Sequence, residues 1–367
     1  MGSGTKLAGA IGAISGTSMD GIDVAFVRTD GARIERTPHA RSYPYAPGLR
    51  AELLDLLRDP ARAEHDPLAD LEMKVTLAHA DAVARMMVEC GLSRSDVSIV
   101  GMHGQTVYHR PERRFTRQLA DGALAAKRLG IDVVSRFRNA DVAAGGQGAP
   151  FAPLYHRALA ADLDLPVMVL NLGGVGNVTY LGREATIAFD TGPASALLDD
   201  FVRRRRGIPY DADGALAASG TADAGVLARL MDNPFFDRAP PKSLDRNDFH
   251  ARAKIVETLG DADGAATLAA FTVEATRAAL RHVPEAPKRW LVTGGGRLNA
   301  AFMAGFARAF GVPVEPVETV GWDGDSMEAE LFGFLAVRSL RGLPLSLPTT
   351  TGVPEPMPGG VLARAGA

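Results

Sequence analysis

The sequence predicts an α/β protein built around a duplicated hairpin. Leu7 to Val27 and Pro166 to Leu181 each read as a strand of apolar and β-branched residues, a turn of small and polar residues, and a second strand. After the second copy come a strand-like "ATIAFDTG" and a helical "PASALLDDFVRRRR", with Pro193 expected in the first helical turn, and this alternation selects the α/β class. With 367 residues, 46% of them hydrophobic, the chain has enough material for two domains, each with its own core. The boundary falls near 162–166, giving a first lobe over 1–165 and a second over 166–324. The final helix, 325–342, is expected to pack back onto the first lobe.

The remaining elements follow in order. Amphipathic periodicity predicts helices over 48–58 and 67–90, then a short buried strand at "VSIVGMHG" and a glycine-rich stretch at "DVAAGGQGAPFAPLYH". The second lobe adds a helix over 262–282, the strand, turn and helix of "RWLVTGGGRLNAAFMAGFARAF", and the last helix in "DSMEAELFGFLAVRSL". A formal net charge of -3 and a pI near 6.3 provide no basic face for nucleic acid, and the arginines at 203–206 read as a solvated helix end. The lone Cys90 has no partner for an intrachain disulfide, reads as the buried side of a helix, and fits a reducing cytoplasm. "KLAGAIGAI" is about half a membrane span, so no membrane association is expected.

The chemistry concentrates in turns. In "ISGTSMDGIDVAF", Gly16 and Gly21 can adopt positive φ, Thr17 and Ser18 offer hydroxyls, and successive N–H groups can form an anion nest. Asp20 and Asp23 suit a hydrated Mg²⁺ bridging phosphoryl oxygens, although Asp20-Gly21 is equally a plain hairpin turn. The chain has no Gly-x-x-x-x-Gly-Lys-Ser/Thr, and "NLGGVGNVTYLG" lacks the third glycine of the dinucleotide fingerprint. "VTGGGRLN" supplies a strand end, three glycines and Asn299 as a helix cap, a loop against which adenosine could lie. Asp190 ends an apolar strand, where it serves either as a general base or as the cap of the next helix. His103 and His109 lack further metal-type ligands nearby and suit polar contacts to a sugar or ordinary hydrogen bonds. Glu328 sits in the capping-box pattern "DSME", with Asp325 as the cap, or serves the ligand site.

Taken together, "ISGTSMDGIDVAF", "HGQTVYH", "DVAAGGQGAPFAP", "NLGGVGN", "FDTGPA", "PPKS", "VTGGGRLN" and "GDSMEA", in this order over nearly the whole chain, resemble the anhydro-N-acetylmuramic acid kinases of bacterial cell-wall recycling. The resemblance implies two ribonuclease-H-like lobes of the actin and hexokinase type with an ATP and sugar cleft between them. It implies a first phosphate loop of Gly16, Thr17, Ser18, Met19, Asp20, Gly21, Ile22 and Asp23, with Asp20 and Asp23 nearest the Mg²⁺. Gly173 and Gly174 would form the second phosphate loop, and Gly294, Gly295, Gly296 and Asn299 would flank the adenosine of ATP. Asp190 would activate water to open the 1,6-anhydro bridge while the 6-oxygen takes the γ-phosphoryl group. His103, Gln105, Thr106, Arg138, Asp141, Gln147 and Glu328 are the candidates for sugar contacts, and a homodimer is implied. The chain departs from the family pattern at Ala194-Ser195, in "KSLDRN" at 242–247 and at Arg136, positions assigned to the substrate side. A kinase for another anhydro sugar such as levoglucosan keeps the same nucleotide motifs, and an ATP-driven switch is the alternative from another class.

Overall fold

The structure, a computed structural model, describes residues 6–16, 18–244 and 248–366. Among these residues twelve strands follow one another as β1 (Ala8–Ser15), β2 (Gly21–Thr29), β3 (Ile34–Pro44), β4 (Ile99–Arg110), β5 (Phe115–Leu119), β6 (Val133–Ser135), β7 (Val167–Leu172), β8 (Val175–Leu181), β9 (Thr186–Pro193), β10 (Arg289–Thr293), β11 (Val314–Pro316) and β12 (Val361–Ala363). They form two sheets, one ordered β12-β6-β4-β1-β2-β3 with β5 beside β4, the other β11-β10-β7-β8-β9. In each sheet a hairpin and a third strand run antiparallel, β1-β2-β3 and β7-β8-β9. A parallel pair then extends the first strand, β4 and β6 beside β1, β10 and β11 beside β7. The duplication is therefore one of topology, a ribonuclease-H-like sheet built twice.

Packing divides the chain into a unit of residues 1–161 with 325–367 and a unit of residues 162–324. In the first unit, helix Met327–Leu340 lies on β1, β2 and β4. Small residues set that approach: a Cβ on Gly12 would stand 1.8 Å from the Ala329 carbonyl oxygen, and one on Gly101 2.0 Å from that of Phe332. Larger residues would force backbone from backbone, which is why glycine interrupts two otherwise apolar strands. Helix Ala69–Glu89 buries Leu71, Val75, His79, Val83 and Met86, one face at helical spacing. The second unit's core is aromatic, with Phe189, Phe201, Phe249, Phe271, Phe302, Phe306 and Trp290 fully buried.

Three elements differ from the sequence expectation. The stretch 48–90 divides into helices Pro47–Leu57, Pro60–His65 and Ala69–Glu89, since Pro60 opens a new helix capped by the Asp59 side chain. "HGQTVYHR" is strand rather than loop: β4 continues to Arg110 because Gly104, at φ 74°, absorbs a register shift and β5 then pairs with the extension. Pro193 closes β9, and the following helix begins at Ser195.

Candidate functional site

In the first unit, the turn between β1 and β2 carries the predicted phosphate loop; Thr17 lies outside the described residues. Among the described residues of this turn, left-handed backbone falls on Met19, at φ 53°, rather than on Gly16 or Gly21. Its strained geometry is held from both sides, by its N–H donating to the Gly16 carbonyl (3.2 Å) and by Arg50 Nε donating to its own carbonyl (3.0 Å). Gly21 is required for a different reason, because a Cβ there would stand 2.7 Å from the Tyr43 carbonyl oxygen. Ile22 is buried core, and Ser18 Oγ donates to Asp20 Oδ1 at 2.7 Å.

Asp23, facing Ser42 across the β2-β3 pair, accepts a hydrogen bond from the Ser42 hydroxyl. Burial raises its carboxyl above the ordinary range; the Ser42 bond opposes this, and the charges of Asp20 and Asp325 push in the same direction as burial. Among the described residues no group of three or more His, Cys, Asp or Glu side chains is arranged to hold a metal ion. Asp20 and Asp23 could hold a cation only as a pair completed by water and ligand oxygens.

Of the predicted sugar residues of this unit, His103, Arg138, Asp141, Gln147 and Glu328 form one cluster. Arg138 Nε donates to His103 Nε2 at 2.9 Å while His103 Nδ1 lies 3.0 Å from the Gly104 carbonyl, so His103 carries its proton on Nδ1. Burial and the adjacent guanidinium hold His103 well below its usual range, and burial lowers Arg138 to about 10 against the pull of Glu328 and Asp141. Glu328 is raised by burial and by Asp23, with Arg138 opposing. Arg138 also donates to the Gly148 carbonyl (2.7 Å), and Asp141 Oδ1 accepts the Gly148 N–H (2.6 Å), leaving Asp141 Oδ2 buried and without a partner. Gln147 is held through its backbone, donating to Thr351 and accepting from His109 Nε2.

Gln105 has a different place. It is buried, its Oε1 accepts from Ser15 Oγ (2.7 Å) and its Nε2 donates to the Gly16 carbonyl (3.2 Å), so it braces β4 against the phosphate turn. Thr106 stands beside it, opposite Gln118 of β5. Thr116 and Gln118 were not anticipated. Gln118 Nε2 donates to Thr116 Oγ1 (2.8 Å), so the Thr116 hydroxyl donates to His109 Nδ1 (2.9 Å), and His109 keeps its proton on Nε2 for Gln147. Gln118 Oε1 is another buried acceptor with no partner. Only the β4-β5 pairing places these residues there, and "FTRQL" has no motif to announce it.

In the second unit, Gly173 and Gly174 form the tight link between β7 and β8. The Gly173 carbonyl accepts from Ser195 N (3.0 Å) and Ser195 Oγ (2.8 Å), and that of Gly174 accepts from Ala194 N (3.1 Å). The departures Ala194 and Ser195 thus contact the second turn. Gly294, at φ 78°, lies where a Cβ would meet Asn171 Oδ1 at 2.4 Å; Gly295 faces open space, and Gly296 packs on Leu172. Asn299 caps helix Ala300–Phe310, its side chain accepting from Phe302 N at 3.1 Å. Arg297, absent from the predicted set, pins this loop by donating to Gly294 O (3.2 Å) and Glu318 Oε1 (2.9 Å). A cavity of about 670 Å³ opens beside it, lined by small residues including Ala217, Ala266, Ala300, Ala301 and Ala304.

Asp190 lies on β9 opposite Asn177. Its N–H donates to the Lys242 carbonyl (3.0 Å), and its Oδ2 accepts the Leu244 N–H (2.8 Å). The helix-cap alternative fails, because the next helix begins at Ser195 with Ala194 in the cap position. Burial raises the Asp190 carboxyl to about 7, with the Leu244 N–H and the Lys242 charge opposing. A carboxylate fixed by one oxygen, with its proton affinity near neutrality, has the properties of a general base. Glu328, for its part, lies in the first turn of helix Met327–Leu340, whose cap position is Ser326 rather than Asp325.

Two sheets of one topology, each with a small-residue hairpin turn and a polar pair on its second and third strands, define an α/β protein of the sugar kinase and actin type. A sequence profile of the anhydro-N-acetylmuramic acid kinases matches residues 8–364, and the chain belongs to that family of kinases. An anhydro-N-acetylmuramic acid kinase of Rhodospirillum rubrum is 52% identical over 353 residues, 96% of this chain and 93% of the relative. One of Acidiphilium cryptum is 54% identical over 361 residues, 97% of this chain and 98% of the relative. Among solved structures, a ROK family glucokinase from Streptomyces griseus in complex with glucose and AMPPNP is 14% identical, covering 90% of this chain and 99% of its own, with a TM-score of 0.39.

Proposed function

We propose that this kinase acts on 1,6-anhydro-N-acetylmuramic acid, coupling hydrolytic opening of the anhydro bridge to phosphorylation of the 6-oxygen by ATP. The observation that carries the mechanism is Asp190, whose Oδ2 is engaged by Leu244 and whose burial keeps its proton affinity near neutrality. Asp190 takes a proton from water as that water bonds to the anomeric carbon. The bond from that carbon to the 6-oxygen breaks, and the 6-oxygen attacks the γ-phosphorus as the bond to ADP breaks. The products are N-acetylmuramic acid 6-phosphate and ADP, as expected of a step in peptidoglycan recycling.

The polar cluster of His103, Arg138, Asp141, Gln147 and Glu328 is suited to a hydroxylated sugar, since Asp141 Oδ2 and Gln118 Oε1 are buried acceptors awaiting donors. Thr106 adds a hydroxyl at its edge, and Gln105 supports the turn. Gly16 to Asp23, with Gly173 and Gly174, would take the phosphates, and Gly294 to Gly296 with Asn299 would take the adenosine. The neighbouring cavity, about 670 Å³, falls within the size range of small-molecule sites. Asp20 and Asp23 fit a Mg²⁺ ion: Asp23 is raised first by burial and then by the charges of Asp20 and Asp325, and a cation relieves that repulsion. When bound, Mg²⁺ neutralises charge on the transferring phosphoryl group. No helix among the described residues is long and apolar enough to cross a membrane. A cytoplasmic homodimer completes the proposal.

The test uses ¹⁸O-labelled water with Mg-ATP, 1,6-anhydro-N-acetylmuramic acid and rapid quenching. The expected product bears label at the anomeric carbon and none in the phosphoryl group. Label in released inorganic phosphate would indicate plain ATP hydrolysis, and efficient phosphorylation of levoglucosan alone would change the substrate.

A further inference from the structure

Lys242 enters the sequence argument only as part of "PPKS", yet it is among the most constrained side chains near Asp190. Only 7% exposed, it donates from Nζ to the carbonyls of Phe235 (3.0 Å) and Phe236 (3.3 Å) and approaches His282 Nε2 at 3.4 Å. The ammonium also stands over two aromatic faces, 4.7 Å from the Phe235 ring centroid and 5.6 Å from that of Phe189, the residue preceding Asp190. A lysine costs substantial rotamer entropy to immobilise and substantial hydration to bury, so such a placement needs a return.

The return lies in what Lys242 holds. Residues 242–244 belong to no helix or strand, yet their backbone supplies the Lys242 carbonyl to Asp190 N and the Leu244 N–H to Asp190 Oδ2. We propose that Lys242 is the positioning residue for Asp190: its anchored ammonium fixes the 242–244 backbone that orients the carboxylate and presents a positive charge toward it. This rests on Asp190 acting as the base. Burial lowers the Lys242 amine to about 8, Arg238 and Arg281 lower it further, and Asp237 and Asp190 pull it back up. Lys242 is therefore largely charged at neutral pH, and its charge, after the larger opposing effect of the Leu244 N–H, counters the upward shift of Asp190.

The experiment is a pH profile of kcat/KM for wild type, Lys242→Met and Lys242→Arg with Mg-ATP and the anhydro sugar. In Lys242→Met, kcat should fall at least about tenfold, KM for ATP should stay within about twofold, and the acidic limb should move up by at least about half a unit, because the opposing charge is gone. Lys242→Arg keeps the charge and should return the limb toward its wild-type position. Lys242→Gln retains an N–H donor for the Phe235 and Phe236 carbonyls and serves as the neutral variant if the methionine does not fold. A folded neutral variant with an unmoved limb would overturn the proposal, even with a lowered melting temperature, because removing the Lys242 charge must then have left Asp190 unaffected. Turnover near wild type in Asp190→Asn would instead remove the base assignment itself, which keeps the two failures distinct.

Discussion

The two sheets place polar residues at matching positions and give them different work. In the first, β2 offers Asp23 to Ser42 of β3; in the second, β8 offers Asn177 to Asp190 of β9. The carboxylate has moved one strand outward. Asp23 sits near Asp20 and Asp325, whose charges make a second negative charge expensive and a cation welcome. Burial raises Asp190, the Leu244 N–H and the Lys242 charge restrain it, and no acidic side chain among the described residues contributes to its shift. A carboxylate crowded by others suits metal binding, whereas an isolated buried one suits proton transfer. The turns diverge in parallel: the first, spanning residues 16–20, carries hydroxyls and a carboxylate, and the second is Gly173-Gly174 anchored on a helix start. Topology fixes the address, and the neighbouring charges decide the chemistry.

The sharpest way to break this comparison is Asp190→Asn, which makes the second sheet's polar pair entirely uncharged. Turnover should fall by at least about 10²-fold, with ATP and sugar affinities nearly unchanged, as measured by steady-state kinetics and calorimetry. Stability should move the opposite way. A carboxyl raised from 3.8 to about 7 in the fold destabilises it increasingly from about pH 4 to pH 7, because the unfolded chain ionises first. The asparagine variant should thus gain melting temperature over wild type across that window and hold the gain above it. Turnover near wild type would reduce Asp190 to a structural residue.

Asp23→Asn gives the first sheet the amide that the second carries at Asn177. The Mg²⁺ concentration for half-maximal activity should rise about tenfold, with a smaller change in the sugar requirement. An unchanged magnesium titration would return the first turn to a plain hairpin and leave the two sheets chemically alike at this position.

Much of this was legible in the sequence because it is local. Hairpins are announced by β-branched residues flanking a small-residue turn, and Asn299 as a cap by its position before an apolar helix. The duplicated topology followed from the similar patterning of two segments. What escaped depends on distant pairing. Thr116 and Gln118 reach the polar cluster only because β5 folds back on β4, and Lys242 reaches Asp190 from a segment without regular structure. The conformation of the first turn also escaped: Gly16 and Gly21 are free to take positive φ, yet Met19 takes it, stabilised by Arg50 some thirty positions away. A propensity argument weighs each residue by itself, and tertiary hydrogen bonds can reverse it.

The smallest expected effect concerns acid. Four histidines of the first unit are held below their usual range by burial, His79 to about 4, His156 to about 3, His103 well below and His109 to a lesser degree. The sign follows from proton binding: below about 6.5 the unfolded chain takes up protons that the folded first unit refuses, so stability is full above that pH and is lost as pH falls. His79 is completely buried, and its contribution between about pH 6.5 and 4 is on the order of 3 kcal/mol. Both tryptophans, Trp290 and Trp322, belong to the second unit, so their fluorescence follows that unit while hydrogen exchange read by mass spectrometry follows the first. On acidification from pH 7 to 4, amides of helix Ala69–Glu89 and of β4 should lose protection before the tryptophan signal changes. His79→Leu, which forgoes one hydrogen bond to the Val75 carbonyl, should differ little from wild type at pH 7 and move the first unit's acid midpoint downward. If both units lose protection together in wild type and in His79→Leu, the buried histidines do not set the acid limit, and the difference between the sheets is confined to their turns and carboxylates.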